Sequence, residues 1–246
     1  MLDNITLGRY YLKKSVVHKL NPVFKILSLI IMIISIFFID SYIDILMLSS
    51  YLLLSIVYSD IGIKVYFKNI HSIRIFLIFI LLIDLIFFID INRIVFDLFK
   101  LIFIILYSSI LTYTTAMTEI TYGIERILRP LNKFIPVNDI SMIITLTLRY
   151  IPTLTMEYNR IIRAQKLRGV QFDTKNIKEK LSSISGVLLP MFVLSLKKAE
   201  NSADIMDVRL YNYGKSRTNY RLNEWKFIDT LLLILNILIL IVVIVY

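Results

Sequence analysis

Four apolar runs separated by short polar breaks fill the first 113 residues, and a fifth lies at the far end of the chain. The first is Val23–Ile39, broken by Asp40, Ser41 and Tyr42 before Ile43–Tyr58. A basic break with Lys64, Lys68, His71 and Arg74 follows, containing a short amphipathic piece at 61–67. Ile75–Ile89 then leads through Asp90, Asn92 and Arg93 to Ile94–Leu111. Runs of this length, apolar on every face, predict helices that cross ~30 Å of hydrocarbon; Val23–Ile39 is near the short limit of ~17 residues. Phe227–Val245, entered through Trp225 and Lys226, predicts a fifth span.

Between Thr114 and Lys226 the texture changes. Ile140–Leu148 is too short to span, and Val187–Leu196 is short and interrupted by Pro190. About half of the chain's 28 Lys and Arg residues fall from Arg149 onward, so this region is expected on the cytoplasmic side as a helical domain against the membrane. Pro152 can open a helix, because its missing N–H has no partner in a first turn, and Gly169 can close it. On that helix Arg160, Ala164 and Arg168 form one row, with Arg163 and Leu167 beside it. Arg168 falls in the last turn, where the carbonyl ends favour a cation with five donors. A second helix is predicted over Leu196–Tyr211, with Glu200, Asp204 and Asp207 on one stripe and Ala199 and Ala203 as a shallow packing face. Two plainer roles compete with Arg168 meeting a carboxylate or backbone carbonyls on a partner: a basic helix lying on anionic lipid, and ion pairing between the acidic stripe and the first helix, at ~0–1 kcal/mol per exposed pair.

Composition narrows the class. Hydrophobic residues make up 57% of 246, beyond what a soluble core of this size absorbs. The expected fold is an all-α integral membrane protein with about five spans and a cytoplasmic helical domain. There is no cysteine, and His18 and His71 lie outside any ligand spacing, so no metal site and no thiol chemistry are expected. The net charge of +10 is concentrated between apolar segments, which points to topology and headgroups rather than nucleic acid. The basic N-terminal stretch is expected to remain cytoplasmic without a cleaved leader, leaving the C-terminus outside. Asp84, inside the third span, is an intramembrane carboxylate and so a functional candidate or a hydrogen-bonded structural one. No Gly-rich phosphate loop ending in Gly-Lys-Ser/Thr occurs, and no inverted repeat or pair of broken spans marks a self-contained carrier.

Several pieces in this order resemble the transmembrane T component of energy-coupling factor (ECF) transporters, the family that includes the membrane component of cobalt and nickel uptake systems. They are 15–22 (Ser-Val-Val-His-Lys-Leu-Asn-Pro) with Lys25, 111–115, Leu128-Arg129-Pro130-Leu131, 148–152, Ala164-Gln165 with Arg168-Gly169, and Met206 to Arg217-Thr218. The resemblance implies an L-shaped membrane part and two coupling helices, each with an Ala-Arg-Gly motif that docks on one of two ABC-type ATPase subunits. It also implies a small S component that binds a vitamin or metal ion. Arg168, Gly169 and Arg209, with Arg160 and Ala164, would be the docking residues. The chain would itself be non-catalytic and bind no cofactor, ATP and Mg belonging to the partner ATPases. The division expected is 1–113 as a four-span membrane region, 114–225 as a coupling domain and 226–246 as the last span. Here the motifs read Leu167-Arg168-Gly169 and Val208-Arg209-Leu210. Without a glycine at 210, the second helix is expected to run on to Asn212 or Gly214. The alternatives are a membrane-embedded enzyme acting on a lipid-linked substrate through Asp84, and a stand-alone carrier.

Overall fold

The computed structural model describes residues 10–13, 15–88, 90–134, 136–172, 176–211 and 224–245. Within these there are nine α-helices and no strand: α1 (Pro22–Phe37), α2 (Tyr42–Ser59), α3 (Ile63–Ser72), α4 (Arg74–Ile86), α5 (Ile91–Thr114), α6 (Met117–Leu128), α7 (Val137–Leu167), α8 (Ile177–Val208) and α9 (Phe227–Val245). The chain is therefore an all-α integral membrane protein. It falls into two compact units, Thr6–Ile135 with Arg221–Tyr246, and Met1–Ile5 with Pro136–Tyr220.

In the first unit α1 packs against α5, α6 and α9, while α2, α3 and α4 pack on α5. Its core joins Met32, Ile36, Leu48, Leu106, Tyr113 and Ile239, from four of these helices. Polar contacts fix the helix starts. Asn21 caps α1 by accepting the Val23 N–H at 2.9 Å, and Ser41 with Asp44 forms a capping box on α2. The fully buried Asp229 takes the backbone N–H groups of Lys226 (2.8 Å) and Asn21 (3.2 Å), tying the start of α9 to the start of α1. Gly123 on α6 is a close-approach glycine: a Cβ there would lie 2.6 Å from Ile26 Cδ1 and 3.3 Å from the Pro22 backbone.

The spans differ from expectation in two places. Helices α2, α5 and α9 are long and apolar enough to cross a membrane, and α3 and α4 would do so as one span bent by 51°. The basic break at Lys64–Arg74 is thus mostly helical. The first expected span is a helix of 16 residues, shorter than the run that suggested it. Conversely, α8 has the length and apolar content of a span, because Val187–Leu196, read as broken by Pro190, lies inside one 32-residue helix.

The second unit is the pair α7 and α8. Pro152 lies inside α7, 15 residues after its first residue Val137, and does not begin it. An interior proline removes one hydrogen bond at a cost of ~3 kcal/mol, which the remaining turns of a 31-residue helix carry. Helix α8 begins at Ile177, where Asn176 accepts the Lys178 N–H at 3.2 Å, and not at Leu196. It stops at Val208, short of the expected extension; Asn212 and Gly214 lie outside the described residues, as do Lys215, Arg217, Thr218 and Arg221.

Candidate functional site

The C-terminus of α7 is built by main-chain bonds around one glycine. Gly169 has φ +85°, a left-handed conformation, which lets its N–H reach the Lys166 carbonyl (3.0 Å) and the Val170 N–H reach that of Gln165 (3.1 Å). These two bonds define a Schellman turn and satisfy carbonyls the helix end would otherwise orphan. Nothing lies within 4 Å of a Cβ added at Gly169, so the glycine is there for its backbone and not for space.

The end of α8 repeats the geometry with a different residue. Leu210 adopts φ +53°, its N–H bonds the Asp207 carbonyl (2.9 Å), and the Tyr211 N–H bonds that of Met206 (2.9 Å). A left-handed leucine costs ~1–2 kcal/mol, and the two hydrogen bonds of the turn offset that cost. Arg168 and Arg209 therefore occupy the same position, the residue after the last helical one, in two closely similar turns. Both are exposed, as are Arg160, Ala164 and Gly169.

Two side-chain bonds set α7 against α8. Gln165 Nε2 donates to the Gly186 carbonyl at 3.1 Å. Gly186 stands four residues before Pro190, whose missing N–H leaves that carbonyl without its helical donor. A side chain of α7 thus fills the gap that a proline opens in α8. Ser202 gives its one proton to the Lys198 carbonyl (2.6 Å), so in its contact with Tyr150 the tyrosine hydroxyl is the donor. Gln165 meets Gly186 and Tyr150 meets Ser202, so the helices run antiparallel. Arg168 then lies near the Gly186 region and Arg209 near the other end of the pair, about 35 Å farther along α8 at ~1.5 Å per residue.

The helices do not close on one another everywhere. A cleft of about 530 Å³ between them is lined by Ile143, Thr147 and Leu154 of α7 and by Ala199, Ala203 and Met206 of α8. The shallow alanine face is thus present but only partly covered. Among the described residues, the carboxylates of Glu200, Asp204 and Asp207 pair with no arginine; the ion pair found there is Lys13–Asp60, in the other unit. No group of His, Asp or Glu among the described residues could hold a metal ion. Asp84 is buried on α4 with one carboxylate oxygen lacking a hydrogen-bond partner among those residues. Gly186 was not singled out in the sequence; its signal was Pro190 four residues later, which requires an outside donor for that carbonyl if the helix is to continue.

Comparison with known proteins bears on the whole chain. The family model described as cobalt transport protein matches residues 13–220. The chain belongs to that family. Its members include relatives named energy-coupling factor transporter transmembrane protein EcfT. The protein of Streptococcus equi subsp. equi is 34% identical, covering 96% of this chain and 94% of the relative. That of Ruminiclostridium cellulolyticum is 33% identical over 92% and 90%. That of Staphylococcus aureus is 33% identical over 94% and 92%. This family member is a multi-pass membrane subunit of an ECF-type transporter, and both arginine-bearing turns lie within the matched residues.

Proposed function

We propose that the chain is the coupling subunit of an ECF-type importer, transmitting ATP-driven motion of two ABC-type ATPase subunits to a small S component that binds a vitamin or metal ion. The observation that carries this reading is the pair of Schellman turns, each presenting one exposed arginine, at opposite ends of one antiparallel helix pair. With the two turns about 35 Å apart along the helix pair, their arginines are too distant to enter one groove of an ordinary domain. They suit two similar sites on two related subunits. At each turn the left-handed residue ends the helix, so the guanidinium is presented beyond the last carbonyls, free to fork onto a partner's carboxylate or backbone carbonyls.

The long helices supply the lever. The bonds from Gln165 to Gly186 and from Tyr150 to Ser202 are spaced along the pair, so a push at either arginine moves both helices together. In this reading residues 114–225 form the coupling domain, 1–113 the membrane region that carries it and 226–246 the closing span. The N-terminus and coupling domain face the cytoplasm and the C-terminus faces outside, following the basic residues. The chain performs no catalysis and holds no cofactor; ATP and Mg belong to the partner ATPases.

Co-purification in mild detergent tests the assignment. Arg168→Ala and Arg209→Ala are each expected to lower recovery of ATPase subunits roughly tenfold or more, as for loss of a charge-assisted pair worth ~1.5–3 kcal/mol, while insertion into the membrane is kept. Unchanged recovery in both variants refutes the docking role.

A further inference from the structure

The membrane unit contains a cavity that the docking geometry does not use. It lies between α1, α2, α5 and α9 and has a volume of about 340 Å³, within the ~300–1,000 Å³ of small-molecule sites. Its walls are mostly apolar, with Phe24 and Leu29 from α1, Leu54 from α2 and Leu232 from α9, and the hydroxyl-bearing Ser28 and Ser55 also line it. Leu54 and Ile228, which also line it, are more than half exposed on helix surfaces that hydrocarbon covers, so the cavity reaches the lipid.

One wall carries a charge. Lys25 lines the cavity and is only 6% exposed. Its ammonium donates to the carbonyls of His18 (3.2 Å) and Thr114 (3.0 Å). An ammonium has three donors, so one is left over. Neither of those partners is charged, and no carboxylate of the described residues forms an ion pair with it. The nearest acids, Asp229 and Glu119, act on it only from farther away, and each already accepts backbone N–H groups: Asp229 from Asn21 and Lys226, Glu119 from Ala116. Exposed Lys19 precedes α1, and exposed Trp225 and Lys226 precede α9, the signature of helix ends at a headgroup layer.

We propose that this cavity holds an acyl chain of an anionic phospholipid from the adjoining leaflet, its phosphate accepting the third N–H of Lys25. A mostly apolar, lipid-open cavity selects a hydrocarbon chain. A buried cation with a spare donor and no bonded counterion selects an anionic head over a zwitterionic one.

The single tryptophan of the chain provides the assay. Trp225, held by Nε1 donation to Thr230 at 2.7 Å, sits three residues before cavity-lining Ile228. The full chain is reconstituted in vesicles of phosphatidylcholine containing a rising fraction of brominated phosphatidylglycerol, then with the bromine label on phosphatidylcholine instead. Quenching of Trp225 is expected to saturate at low phosphatidylglycerol fractions, at least about fivefold more tightly than with labelled phosphatidylcholine. Ser55→Phe, which puts a ring into the cavity from α2 and leaves Lys25 in the sequence, and Lys25→Met should both abolish that difference. Should Lys25→Met fail to insert, Ser55→Phe decides alone. Equal quenching by both labels refutes the site, as in a cavity filled by a partner's side chain. A phosphatidylglycerol preference that survives Ser55→Phe also refutes it, reducing the effect to surface electrostatics.

Discussion

The bond from Gln165 to Gly186 makes a quantitative demand on a third residue, Pro190. Pro190 deprives the Gly186 carbonyl of its helical donor, and Gln165 Nε2 replaces it at 3.1 Å. In Gln165→Ala that half-buried carbonyl loses the donor that stands in for the missing N–H, at a cost of about 1 kcal/mol, the low end for an orphaned acceptor because water has partial access. Pro190→Ala restores an N–H at position 190 and recovers up to ~3 kcal/mol of helix propensity. In that background the carbonyl has a donor of its own, so Gln165→Ala should cost only a few tenths of a kcal/mol. The double-mutant cycle therefore predicts a coupling of ~0.5–1 kcal/mol between residues 25 positions apart in sequence. Urea unfolding of the purified chain in detergent reads the sum. Amide exchange in peptides spanning 184–192 reads the site itself, where a loss of 1.4 kcal/mol is about tenfold faster exchange if opening is local. An equal cost of Gln165→Ala with and without Pro190 refutes the reasoning.

Other positions carry simpler expectations. Gly169→Ala forces an L side chain to φ +85° and should fray the end of α7 by ~1–2 kcal/mol, whereas Leu210→Gly relieves similar strain at α8 and should gain ~0.5–1 kcal/mol after the backbone entropy of glycine; exchange rates at 166–170 and 207–211 separate the two. Gly123→Val drives a side chain into Ile26 and the Pro22 backbone, costing ~1–3 kcal/mol, so its thermal midpoint should fall and be partly restored by Ile26→Ala, which removes the nearer obstacle. At His18, burial is the largest influence and holds the imidazole below its ordinary pKa of about 6.5; the hydrogen bond to the Tyr11 carbonyl opposes it, and the charge of Lys25 adds a smaller push in the same direction as burial. The unfolded chain then takes the proton more readily, so the contribution of His18 to stability is full above about pH 6.5 and declines as pH falls below it. Thermal midpoints at pH 7.5 and 5.5 should converge in His18→Gln.

How much of this was legible depended on whether one helix or two had to be known. Helices α2, α5 and α9 were plain because a run apolar on all faces admits no other local solution in lipid. Gly169 was legible as a cap because a glycine after a basic turn has few other uses there. The full extents of α7 and α8 were not. Pro152 and Pro190 were read by their local cost, which is real, but Pro190 is tolerated through a donor on another helix, and no local rule contains that donor. Leu210 failed for a related reason: propensity forbids a left-handed leucine, but the bonds to Asp207 and Met206 exist only once the whole turn has formed. The bend between α3 and α4 at Ile73 was likewise hidden, since a basic break reads the same whether it is loop or helix.

The two arginine turns separate what a motif records from what docking needs. The residues flanking Arg168 and Arg209 share no identity, Leu and Gly in one case and Val and Leu in the other. Yet the hydrogen bonds are the same pair of main-chain contacts, at 2.9–3.1 Å in both. If a glycine were the requirement, the α8 turn would be defective; if the left-handed backbone is, the turns are alike and differ only in how much strain each stores. The second view makes the leucine informative. A residue that costs ~1–2 kcal/mol in that conformation persists where something repays it, and its side chain, 70% exposed, finds little to pack on within its own unit. The two hydrogen bonds of the turn offset the cost but would form as well with glycine, so on the proposed reading it is a partner surface that favours leucine there, and Leu210→Gly should strengthen the isolated α8 turn while weakening ATPase recovery. An improvement in both would mean that Leu210 makes no contact there and that Arg209 docks through its guanidinium alone.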